Sequence, residues 1–93
     1  MKFGELKFRD ISMTHGRGGI QACYELGNGW YISIARHKLT YGREKGLYEI
    51  AIFSASGEQV YFPSWSNDSK AMLNELAVEE EIHKVESEFK AKL

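Results

Sequence analysis

Cys23 is the only thiol in a chain of 93 residues. A cysteine becomes a nucleophile when a neighbouring histidine takes its proton, and His15 and His37 are the nearest histidines in sequence. Nothing in their spacing brings either ring to the sulfur, and a small half-buried strand cysteine is the plainer reading. His15-Gly16-Arg17-Gly18-Gly19 is glycine-rich like a phosphate cradle. It lacks the Gly-Lys-Ser/Thr ending, however, and leads into a strand where a P-loop leads into a helix. The histidines are not spaced as metal ligands, and no pair of acids stands in a recognisable catalytic arrangement. The expectation is therefore no enzyme, no metal and no cofactor.

Three surfaces remain as candidates. Arg17, Arg36, Lys38, Arg43 and Lys45 fall in or beside two glycine-bearing stretches, 12–19 and 37–46, with His15, His37 and Tyr41 among them. Basic groups interleaved with aromatics can grip phosphate or an acidic protein surface; the alternative is an ordinary solvated loop end. In an up-and-down sheet these loops and the segment 63–68, with Trp65, would share one rim. The second surface is a sheet face carrying Tyr31, Ala35, Ala51, Phe53 and Tyr61, with Cys23, Gln21, Glu25 and Glu49. Exposed small and aromatic groups of this kind often mark a protein interface, against the alternative of a half-polar outer face. The third is a run of helix carboxylates, Glu79, Glu80, Glu81, Glu86 and Glu88. Lys84, Lys90 and Lys92 interrupt it, which favours a solvated helix face over phosphate mimicry.

The element that positions these groups is a hairpin, Gly18 to Arg36. Ile20, Ala22, Tyr24 and Leu26 share one face of its first strand, and Trp30, Ile32 and Ile34 share one face of its second. A three-residue loop at Gly27-Asn28-Gly29 pairs Leu26 with Trp30, Tyr24 with Ile32 and Ala22 with Ile34, so that all the bulky groups lie on one side. The same argument at Ala55-Ser56-Gly57 pairs Ile52 with Val60 and Ile50 with Phe62. Residues 2–9 alternate and read as an edge strand; Leu47 to Ser54 is apolar on both faces, as an interior strand requires. Beyond the caps offered by Ser66-Asn67-Asp68, the chain has helical propensity from Ser69 to Leu93. Met72, Leu73 and Leu76 lie nearly opposite Val78, Ile82, Val85, Phe89 and Leu93 at about 100° per residue. That predicts a short helical turn, a kink or break near 74–77, and a main helix.

These elements assemble as one α+β domain, residues 1–93: a five-stranded antiparallel meander with a C-terminal helix on the face holding Trp30, Ile32, Ile34, Ile50 and Ile52. Composition agrees, at 43% hydrophobic and 27% charged with a net charge of −1. That balance points to neither a polyanion nor a membrane. A lone cysteine excludes an internal disulfide and suits a reducing cytoplasm, and the alternating N-terminus is no signal peptide.

The stretch Gly18–Phe53 resembles small uncharacterised proteins encoded by bacteriophages, through Gly-Gly-Ile-Gln-Ala at 18–22, Asn-Gly-Trp at 28–30, Tyr-Gly at 41–42 and Gly-Leu-Tyr-Glu at 46–49. The resemblance implies an accessory protein of the infected bacterial cytoplasm, of a kind that often binds and blocks a host factor such as a defence complex. The expected function is thus non-enzymatic binding of a host protein complex, or self-association, through the open sheet face, the basic rim or both. The alternative is a small nucleic-acid-binding module using the basic loops.

Overall fold

The computed structural model describes residues 2–10, 19–37, 46–60, 62, 65 and 69–92, with the side chains of residues 37 and 90–92 outside that description. Strands β1 (Arg9–Asp10), β2 (Gly19–Gly27), β3 (Trp30–His37), β4 (Tyr48–Phe53) and β5 (Gln59–Val60) run in meander order, every neighbouring pair antiparallel. A sixth strand, β6 (Ser69–Leu73), also pairs antiparallel with β4, and helix α1 (Glu75–Lys92) follows it. The fold is α+β, as the alternation and the terminal apolar stripe require.

The hairpin keeps the expected facing pairs, Tyr24 with Ile32 and Ala22 with Ile34. Its turn differs. Gly27, and not Leu26, stands opposite Trp30, and the register shifts between Glu25 and Gly27. Asn28 and Gly29 have φ of 54° and 84°, the two positive values of a two-residue type I′ turn. The bulge absorbs one residue, so the tight turn and the common apolar face coexist. A Cβ on Gly29 would lie 2.9 Å from that of Ala55, so the two hairpin turns meet at one end of the sheet. The second turn has its expected form: Gly57 N donates to Ser54 O and Ser54 N to Glu58 O, both at 2.9 Å, and Ile52 pairs with Val60.

Three expectations need correction. The expected edge strand over 2–9 shrinks to Arg9–Asp10. Phe3–Glu5 form a 3-10 turn, and Phe3, Leu6 and Phe8 pack against the core, so burial of aromatic rings overrides the alternation. Ile50 does not pair with Phe62; it pairs with Lys70. β5 and β6 both pair with β4, through Ile52–Phe53 and Tyr48–Ala51 respectively. Phe62 and Trp65, the two described residues between β5 and β6, are buried and meet edge to face at 5.0 Å. Finally, 69–73 is strand, not helical turn; the break expected near 74–77 falls at Asn74, between β6 and α1, which starts at Glu75. Its cap is Asn74, whose Oδ1 accepts from Ala77 N at 2.8 Å; Ser66-Asn67-Asp68 lie outside the described residues.

The core lies between the sheet and α1. Ile32, Ile34, Ile50 and Ile52 face Val78, Ile82 and Val85, all nearly or wholly buried, and Trp30 packs on Phe89 at 5.6 Å between ring centres. Phe3, Phe8 and Tyr48 form a mutually packed trio at 5.2–5.5 Å.

Candidate functional site

The strand registers arrange the other face of the sheet into transverse rows, because directly opposed residues point the same way. Glu25, Tyr31, Phe53 and Gln59 form the first row. Cys23, Ser33, Ala51 and Ser69 form the second, and Arg9, Gln21, Ala35 and Glu49 the third. The first row is a ridge: Tyr31 and Phe53 stack with centroids 5.3 Å apart and planes at 15°. The second is a row of small residues. The third is polar: Arg9 Nη2 donates to Gln21 Oε1 at 3.5 Å, and Gln21 Nε2 to Ser33 Oγ at 2.8 Å. Ser33 is only 7% exposed, and that bond satisfies its hydroxyl. Ser69 Oγ donates to Glu49 Oε2 at 3.3 Å.

Of the residues expected on this surface, Tyr31, Ala35, Ala51 and Phe53 come together there, each partly buried by its neighbours; Tyr61 lies outside the described residues. Cys23 is exposed. The described elements that leave the sheet all pack on the opposite side: the N-terminal segment on Tyr48, Trp65 and α1 in the core.

Of the basic set, only Arg36 is among the described residues. Arg17, Lys38, Arg43 and Lys45 lie outside the described residues, as do His15 and Tyr41. Arg36 follows Ile32 and Ile34 on the helix side. Its guanidinium sits 5.0 Å from the centre of the Tyr48 ring and donates to Gly46 O at 3.3 Å. It is a packing residue with one face on an aromatic ring. Trp65, expected at the rim, is in the core.

The helix carboxylates are not simply solvated. Glu79 Oε2 accepts from Phe3 N at 2.7 Å, Glu86 Oε2 from Tyr24 Oη at 2.7 Å, and Glu81 Oε1 from Trp65 Nε1 at 2.8 Å. Glu81 is 6% exposed, with Lys84 Nζ at 3.3 Å and Lys70 Nζ at 3.9 Å. At about 100° per residue, Glu79 and Glu86 border the apolar stripe on one side and Glu81 on the other. That flanking position was the available signal. The Tyr24 hydroxyl is pushed up to about 12, first by its bond to Glu86, then by burial and by the charges of Glu86 and Glu5.

Among the described residues no group of three or more histidines, cysteines or acids could hold a metal ion, and no helix is long and apolar enough to cross a membrane. No protein family, curated protein or solved structure matches the chain.

Proposed function

We propose that this protein acts by surface contact and not by catalysis, as a binding protein whose contact surface is the outer sheet face. What supports the reading is that a stacked Tyr31–Phe53 ridge stands over small residues on a face that every described element outside the sheet avoids. Aromatic anchors bordered by small and polar groups are the composition of an interface core and its rim. From the phage-like stretch 18–53 we take the partner class: a protein complex of a bacterial host, bound and inhibited or modulated in the cytoplasm.

The test is capture from bacterial lysate by the tagged protein, read by mass spectrometry. Tyr31→Glu combined with Phe53→Glu removes the captured complex while the circular dichroism spectrum and melting curve stay those of a folded domain. Capture that survives the double substitution puts the interface elsewhere. Binding of DNA or RNA in a gel shift, weakening steeply with salt, would replace this reading with that of a nucleic-acid module.

A further inference from the structure

The outer face is complementary to itself under a two-fold axis. Let the axis lie in the plane of the face and run along the row Cys23, Ser33, Ala51, Ser69. The ridge row of one copy then falls over the polar row of the other, column by column. Tyr31 meets Ala35 of the second copy, bulk against a methyl group. Phe53 meets Glu49, whose carboxylate accepts from Ser69 and so leaves its stem to the ring. Glu25 meets Gln21, over which the Arg9 guanidinium already leans. Arg9 and Glu25 are both exposed, so each copy offers one cation and one anion, and the axis brings them together twice. An axis along the strands does worse. It stacks Tyr31 on Phe53 at one end, sets Ala35 against Glu49 at the other, and puts Glu25 against Gln59.

The edges of the sheet do not compete for this role. β1 is two residues long. β6 is five residues long and carries the charged Lys70, and its pairing with β4 is irregular where Met72 has a positive φ. Short, charged and bulged edges resist strand addition.

We propose that the free protein pairs with a second copy of itself across this face, in the register that joins Arg9 to Glu25 and holds Cys23 opposite Cys23. The proposal rests on the outer face being the contact surface, and it names what covers that surface before a host partner does. Partner binding and self-pairing are then mutually exclusive.

Sedimentation velocity from micromolar to millimolar protein reads the pairing, and a short bis-maleimide reads the register, because facing sheets stack about 10 Å apart. The expected result is a dimer that the reagent links through Cys23, with no link in Cys23→Ser. Arg9→Glu or Glu25→Arg alone places like charges together twice and weakens the dimer by about tenfold or more. The two together restore it, a rescue that a merely misfolded single variant would not show. A monomer at millimolar concentration overturns the proposal, as does a dimer that neither charge swap weakens or that is not linked at Cys23. If the wild type is monomeric while Tyr31→Glu with Phe53→Glu still loses the host complex, self-pairing falls and the contact surface stands.

Discussion

Trp65 and Glu81 show how a single pair decides local structure. The indole N–H is buried, and its acceptor is a carboxylate on α1 that is itself only 6% exposed. Glu81→Ala leaves that donor without a partner inside the core, at a cost of about 1–3 kcal/mol. Glu81→Gln keeps an acceptor and costs clearly less. Urea midpoints at a constant slope check the difference. Tyr24 and Glu86 give a pH signature. The phenol titrates at about 12 in the folded chain, above its usual value of about 10. Its contribution to stability is therefore complete below pH 10 and is lost as pH rises through 12. The stability difference between wild type and Tyr24→Phe should be level through neutral pH and shrink toward zero over that interval. A constant difference up to pH 12 contradicts the bond to Glu86.

Elements were legible where one periodicity ruled and obscure where tertiary contacts overruled it. Alternation at Ala22, Tyr24, Ile32 and Ile34 determines the hairpin register, and the same alternation places Arg36 with Ile32 and Ile34 on the inner side. The bulge near Leu26 was not legible, because Asn28-Gly29 satisfies two loop lengths and only the bulge reconciles them. Strand β6 was hidden by composition: Lys70, Ala71, Met72 and Leu73 are good helix formers, yet the free edge of β4 beside Ile50 and Ala51 draws them into the sheet. The conflict leaves a mark in Met72, 53% exposed and held at φ 61°. Met72→Gly relieves that backbone and should stabilise the domain by up to about 1 kcal/mol, while Met72→Val should destabilise it; melting temperatures decide. Ile82, wholly buried under the sheet, anchors α1, whose apolar side chains each contribute about 1.5–3 kcal/mol on burial. Ile82→Asp should unfold the domain or release the helix, and unchanged helicity and melting temperature would contradict the docking of α1.

At the scale of the whole molecule the determining fact is asymmetry. One face of the sheet is closed by α1, the N-terminal turn and Trp65; the other shows an aromatic ridge, a row of small residues and a polar row. An antiparallel sheet tolerates this arrangement, since one face can meet water, and it is also how a small domain keeps a flat surface ready for a partner. The sequence pattern named most of that surface in advance, through Tyr31, Ala35, Ala51 and Phe53. It did not show that Arg36 packs on the Tyr48 ring, because that depends on which face the end of β3 turns inward. Cys23 lies in the middle row and is exposed, so it reports directly on whether the face is covered. The most direct measurement is the rate at which its thiol reacts with Ellman's reagent in dilute protein, alone and saturated with the captured host complex. The account predicts a rate at least about tenfold slower in the complex, with the partner's surface excluding the reagent. An unchanged rate would show that the partner binds while leaving the outer face bare, and would contradict it.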